Sequence, residues 1–464
     1  MVFSSLLFLT LFLPLTLFFY RLLPGRGKNV LLLIASLLFY AWGEPAHVIL
    51  MVLTTVWVWA MGLALEWSRN AGKDRLTRGL LTASAVLSLG TLGYFKYFGF
   101  ITENLPFLRS MHLAAPALPI GISFYTFQAL SYLVDIYRGT VKAQRSWVNF
   151  AMYLSFFPQL IAGPIVRYAD VEQQLTERRH TTRKLYQGTM RFAVGLGKKV
   201  LLANQIGLVW TEIAGLGQLS MLSAWLGALA FTFQIYFDFS AYSDMAIGMG
   251  LMFGFRFPEN FRYPYQARSV SDFWRRWHVT LGTWFREYVY IPLGGNRAGT
   301  RRQILNLLIV WSLTGLWHGA AWQFVLWGLY YFGVLTLEKF VLKPHLEKLP
   351  KLLQHGYTML VVIFGWMLFA SPDVGTALRF WKAMLGIGTA MADDAGKFYL
   401  TGNLSLLVIL AVGATAIPAN TMRVLNRHSR TVQRAVVAAC GILVWACVAF
   451  LVADSYNPFL YFRF

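Results

Sequence analysis

Two histidines, three aspartates and a dense run of tryptophan and arginine lie between residues 234 and 323 of this 464-residue sequence. His318 stands in Trp311-Ser-Leu-Thr-Gly315-Leu-Trp317-His318-Gly319-Ala-Ala-Trp322-Gln323, within a stretch that has no Asp, Glu, Lys or Arg from residue 303 to residue 337. Such surroundings favour the neutral imidazole. A neutral ring can take a proton from a hydroxyl, which is the task of a general base. An ionisable group in an apolar run is a functional candidate by default; a hydrogen-bonded packing histidine is the competing reading. Gly315 and Gly319, four apart, give the same segment a smooth face that admits a close neighbour.

His278 lies in Ser269-Val-Ser-Asp272-Phe-Trp274-Arg275-Arg276-Trp277-His278-Val-Thr-Leu281, continuing to Tyr288. Ser269 with Asp272 fits a capping box. Val270, Phe273, Trp274, Trp277, Leu281, Trp284, Phe285 and Tyr288 then recur at helical spacing, with charged residues opposite. This predicts one amphipathic helix, too charged to span a bilayer and suited to its interface. His278 falls on its aromatic side and points inward, where a satisfied core histidine is the alternative. Arg275 and Arg276, with Trp274 beside them, are candidates for binding the phosphates of a cofactor or of lipids; lipid is the simpler reading. In Gln234-Ile-Tyr-Phe-Asp238-Phe-Ser240-Ala-Tyr-Ser243-Asp244, two carboxylates inside an apolar helix need partners or water. Asp238 and Ser240, together with Trp317, are candidates for lining a passage. Asp244, nearer the helix end, reads as structural.

The elements that must position these side chains are membrane helices. The chain is 57% hydrophobic and only 13% charged. Its apolar blocks match the roughly 20 residues that cross a bilayer. Crossings are predicted near 3–20, 29–42, 48–66, 79–97, 118–137, 186–209, 222–250, 304–320, 322–338, 352–370, 403–418 and 435–453. The first block is read as a retained helix, since no cleavage-site pattern follows it. Residues 149–166 are apolar but broken by Pro158, Gly163 and Pro164, and read as re-entrant, a form that must be buried in protein or line a wet cavity. The expected fold is therefore all-α: a polytopic membrane protein with about 11–12 transmembrane helices plus re-entrant and amphipathic interfacial helices. We read it as a single domain, 1–464, with a motif-bearing core of about 119–340.

The formal net charge of +21 does not point to nucleic acid. The Lys and Arg residues sit largely in short segments between apolar blocks, and with these crossings the basic segments around 21–28, 69–78, 138–145, 167–184, 255–303, 339–351 and 423–434 fall on one side, expected to be cytoplasmic. Both termini then lie outside; a single crossing over 304–338 would invert the topology after it. Cys440 and Cys447, about 10 Å apart along a helix, are too distant for a disulfide. His47, His112, His180, His345, His355 and His428 fall in or beside predicted loops and receive no role. No residue set has metal-ligand spacing, and there is no Walker loop or nucleophile elbow.

Arg256-Phe-Pro-Glu-Asn-Phe, Asp272-Phe-Trp-Arg-Arg-Trp-His278, Tyr290-Ile-Pro-Leu-Gly-Gly-Asn-Arg297 and Leu316-Trp-His318-Gly resemble motifs of the membrane-bound O-acyltransferase family. The likeness extends to Met1-Val-Phe-Ser-Ser, Pro119-Ile-Gly-Ile-Ser-Phe-Tyr125, Ile161-Ala-Gly-Pro and Asn457-Pro-Phe, and is strongest for its bacterial branch that O-acetylates exported polysaccharides. The resemblance implies that His318 is catalytic and that His278 matches a second family histidine. It implies acetyl-CoA as donor substrate, with no permanently bound cofactor. It implies transfer across the bacterial inner membrane toward an alginate- or cellulose-type polysaccharide, through a periplasmic acetyltransferase or acceptor protein, with membrane lipids as the surroundings. Two other classes fit the residues alone: a transporter or channel for an acyl donor or glycan with His318 and Asp238 in a proton relay, and a passive scaffold of a secretion complex.

Overall fold

In the computed structural model all residues are described except Met1, His112, Ala162, 426–428, 454–459 and 461–464, together with the side chain of Arg26. Met1, Ala162 and Asn457-Pro-Phe of the family-like motifs, and His112, Arg427 and His428, thus lie outside the described residues. Those described contain helices and no strand.

Every one of the twelve predicted crossings falls on a helix. We label α1 Leu13–Leu22, α2 Gly25–Gly43, α3 Val48–Asn70, α4 Asp74–Asn104 and α5 Ile122–Arg138. Then follow α6 Thr182–Ala214 and α7 Met221–Met252. The short pair α8 Val270–Arg276 and α9 Val279–Phe285 precedes α10 Gly299–His318, α11 Trp322–Leu337, α12 Lys351–Ala370, α13 Asp394–Gly413 and α14 Arg430–Ala453. Among the described residues, six helical stretches are long and apolar enough to cross a membrane, built on α3, α6, α11, α12, α13 and α14, and two shorter apolar ones lie over Phe8–Leu22 and Gly27–Gly43. Helices dominate because lipid offers the backbone no partners, so each segment must close its own hydrogen bonds.

The chain forms two compact units. One comprises 1–192 and 242–259, the other 193–241 and 260–464. In the first, the segment expected to be re-entrant is two short helices, Trp147–Ser155 and Phe157–Leu160, broken at Phe156 and buried from Phe150 to Leu160. The backbone freed by the break finds protein partners. The Phe157 N–H donates to Ser36 Oγ at 3.1 Å, Gln159 Nε2 donates to the Tyr153 carbonyl at 2.5 Å, and the Tyr153 hydroxyl donates to the Val166 carbonyl at 2.9 Å. Asp244 has the structural role expected of it: Arg191 bridges Asp244 at 2.8 Å and Glu259 at 2.5 Å.

In the second unit α10 and α11 form a hairpin that turns over Gly319–Ala321, so the 304–338 region is two helices. Gly315 and Gly328 let them touch. A Cβ at Gly315 would lie 2.3 Å from the Phe324 carbonyl oxygen, and one at Gly328 would lie 2.4 Å from that of Trp311. Around the hairpin an aromatic core collects Trp274, Trp277, Trp311, Trp327, Tyr331 and Trp366, with neighbouring ring centroids 4.8–6.3 Å apart. Edge-to-face contacts of this kind add to the packing already gained from contact area.

Candidate active site

The predicted single amphipathic helix over 269–288 is corrected by the structure. Ser269 does cap a helix, its Oγ accepting from the Asp272 N–H at 3.0 Å. That helix, α8, ends at Arg276, and a second, α9, begins at Val279. Between them His278 adopts φ 44°, ψ 53°, the left-handed region that non-glycine residues enter at a cost. The aromatic spacing runs through the break because residues on both helices bury the same kind of surface. Asp272 does not complete a reciprocal box; its carboxylate meets Arg276 at 3.0 Å.

The break turns His278 inward, as predicted, and leaves it 2% exposed. Its Nδ1 lies 3.0 Å from Asn260 Oδ1. The same amide atom receives the Thr280 backbone N–H at 3.4 Å and the Thr280 hydroxyl at 2.9 Å. A backbone N–H can only donate, so this atom is the amide oxygen and His278 Nδ1 carries the proton. The lone pair of the neutral ring is then on Nε2, which has no hydrogen-bond partner among the described residues. His278 lies outside the membrane-spanning helices, and burial pushes its imidazole down to about 3, so the ring stays neutral through the physiological range.

His278 faces a cavity of about 260 Å³ lined also by Trp274, Trp277, Arg286, Tyr290, Trp311 and Thr314. Thr314 is four residues before His318 on α10, one turn away on the same face. His318 ends α10 and is 7% exposed. Its ring packs edge-on to Trp317, Trp327 and Phe369 at 5.0, 5.1 and 5.2 Å. Trp317 also lies against His278 at 5.9 Å. One indole therefore touches both histidines, and the two rings belong to one desolvated aromatic cluster.

The remaining predicted residues scatter. Trp274 lines the His278 cavity, whereas Arg276 lines a separate one of about 860 Å³ on the other face of α8. Arg275 is exposed and turns back to the Ser271 carbonyl. Ser240 is buried. Asp238 forms a buried ion pair with Lys199 at 2.7 Å, both side chains 3% exposed, and its second oxygen accepts the Leu460 N–H at 2.9 Å. Lys199 sits in a π-helical turn, Lys198–Ala203, that interrupts α6.

Sequence reasoning missed Asn260, which fixes the His278 tautomer. It also missed Glu338, whose buried carboxylate accepts the Val270 N–H at 2.7 Å and the Ser271 N–H at 2.9 Å, so that it holds the N-terminus of α8. An anion there complements the helix dipole. The one available signal for Glu338 was its position as the first charge after a long apolar run. His355, given no role, has its Nδ1 3.0 Å from the Ala267 carbonyl, to which it donates, and lines the larger cavity.

Fold and site together define a multi-pass membrane enzyme with paired buried histidines. The profile of the membrane-bound O-acyltransferase family matches residues 140–374. The chain is 39% identical, over its full length and that of the relative, to the probable alginate O-acetylase of Azotobacter vinelandii. It is 31% identical to the peptidoglycan O-acetyltransferase of Helicobacter pylori, over all of this chain and 98% of that one. Similarity to the teichoic acid D-alanyltransferase of Bacillus subtilis is weaker, 26% over 48% of this chain and 59% of the relative. The chain belongs to the membrane-bound O-acyltransferase family. It is accordingly an O-acyltransferase, and its activity is enzymatic.

Proposed function

We propose that this protein takes acetyl groups from acetyl-CoA on the cytoplasmic side of a bacterial inner membrane and passes them toward an exported polysaccharide of the alginate or cellulose type, together with a periplasmic partner. End-to-end similarity to an alginate O-acetylase supports the substrate class. The observation that carries the chemistry is the pairing of His318 with His278 across Trp317, all three buried in one aromatic cluster.

In this reading an acceptor hydroxyl attacks the thioester carbonyl carbon while His318 takes its proton. The tetrahedral intermediate collapses, the C–S bond breaks, and the thiolate leaves and is protonated from the imidazolium, which restores neutral His318. His278 orients the donor through its Nε2 lone pair side, held by Asn260. The 260 Å³ cavity beside it is smaller than the roughly 300–1,000 Å³ of sites that enclose a drug-sized ligand. It suits the acetyl-thioester end of the donor rather than the nucleotide. Acetyl is small and uncharged, so it can follow a passage closed to the anionic carrier; Asp238, Ser240 and Trp317 are the residues we assign to its walls, and Trp274, which lines the His278 cavity, to the donor's approach.

The test uses purified protein in vesicles supplied with acetyl-CoA labelled in both the acetyl group and the nucleotide. Release of free CoA, with the acetyl label moved to an acceptor, is expected. Passage of the intact doubly labelled donor would identify a transporter instead.

A further inference from the structure

The second unit carries a cavity that the chemistry above does not use. It measures about 860 Å³ and opens between α7, α12 and the end of α13, on the face of α8 opposite His278. One part of its lining is basic: Arg268, Arg276 and Lys351 beside the His355 imidazole, against a single carboxylate, Asp272. Asp272 is paired with Arg276. Among the described residues neither Arg268 nor Lys351 has an acidic partner. Two positive charges therefore face the cavity uncompensated.

The other part is apolar, formed by Leu229, Phe233, Leu352, Met359, Ala411 and Ala414. The polar groups on that side are already engaged. Tyr265 donates its hydroxyl to the Thr232 carbonyl at 2.5 Å, and the His355 Nδ1–H is held by Ala267. The volume is far larger than a phosphate needs, since a water occupies about 30 Å³.

We propose that this cavity binds an anionic phospholipid, its phosphate between Arg268 and Lys351 and an acyl chain along Leu229, Phe233 and Met359. Basic pockets between membrane helices recognise anionic headgroups in this way. A CoA molecule shares the phosphate chemistry, but it is polar along its length and would leave its amides and ribose against an apolar wall, at a desolvation cost. The cavity also lies on the other face of α8 from His278, so occupancy by lipid leaves the histidine cavity open. Lipid bound there would tie α7, α12 and α13 together.

The experiment measures thermal unfolding and native mass spectra of the full-length protein in detergent, titrated separately with phosphatidylglycerol, phosphatidylcholine and CoA. Phosphatidylglycerol is expected to raise Tm and remain bound, and phosphatidylcholine to do neither. The double variant Arg268→Gln/Lys351→Gln is expected to bind phosphatidylglycerol about 30-fold more weakly, from about one unit of headgroup attraction lost per cation. The double variant Lys382→Gln/Lys397→Gln, which removes the same two charges elsewhere in the unit, is expected to leave that binding unchanged. Equal effects of the two lipids, or full phosphatidylglycerol binding by the double variant, would overturn the proposal. So would loss of CoA binding by the double variant with lipid binding intact, which would assign the cavity to the donor.

Discussion

At His278 the backbone accepts a left-handed conformation so that one imidazole can leave the helix line and reach Asn260. The ring is neutral when folded, with its pKa lowered to about 3 from 6.5. The unfolded chain binds the proton first as pH falls, so this site's stabilisation is complete above about pH 6.5 and is lost progressively toward pH 3. Between pH values of about 7.5 and 5 it should cost the wild type roughly 2 kcal/mol. His278→Gln, which does not titrate, is expected to lose less Tm over that interval; parallel loss in both proteins would contradict a neutral buried ring. At Lys199–Asp238, removing one partner strands a buried charge. Lys199→Met alone should destabilise by about 3–5 kcal/mol, and Lys199→Met/Asp238→Leu should recover most of it. Detergent-solubilised unfolding curves decide this, and a double variant no better than the single one would argue against a closed ion pair.

The elements that hold the two histidines are a hairpin and a broken helix. In the hairpin the contact depends on the absence of side chains at Gly315 and Gly328. Gly315→Ala would drive a methyl against the Phe324 carbonyl, with an expected loss of about 1–3 kcal/mol and of activity, because His318 is one turn further on. Gly333→Ala on α11, where an added Cβ meets nothing within 4 Å, should be neutral or stabilising by up to about 1 kcal/mol. Equal effects at both positions would contradict a close approach at Gly315 as the source of the hairpin contact. The sequence made this contact readable in part: Gly315 stands out in it, but its expected companion Gly319 lies in the turn past α10, and Gly328 on the facing helix carries no sign in its own segment. The break at His278 was not readable: no glycine or proline marks it, and the apolar period continues past it. Its causes are Asn260, which accepts Nδ1–H, and Glu338, which fixes the start of α8, and both act from far along the chain.

For the whole molecule, apolar blocks were enough to place all twelve principal helices, because lipid permits few alternatives to a helix. Hydropathy alone could not show which polar residues meet inside, since Lys199 and Asp238 look equally costly alone and become tolerable only as a pair. It also left the basic cavity unseen, because Arg268 precedes α8 whereas Lys351 and His355 open α12, far along the chain. The basic segments set an expected orientation. In a background with Cys440 and Cys447 replaced by serine, Phe107→Cys should react with a membrane-impermeant maleimide in intact cells, and Arg75→Cys, at the other end of α4, only after permeabilisation. The reverse pattern would invert the topology and with it the side from which the donor enters. The claim on which everything else rests is that His318 performs the proton transfer. Its most direct measurement is acetyl-group transfer from labelled acetyl-CoA by the His318→Ala protein, after its folding and membrane insertion have been verified. Transfer reduced to background is the result expected; wild-type transfer by the folded, inserted variant would contradict the account.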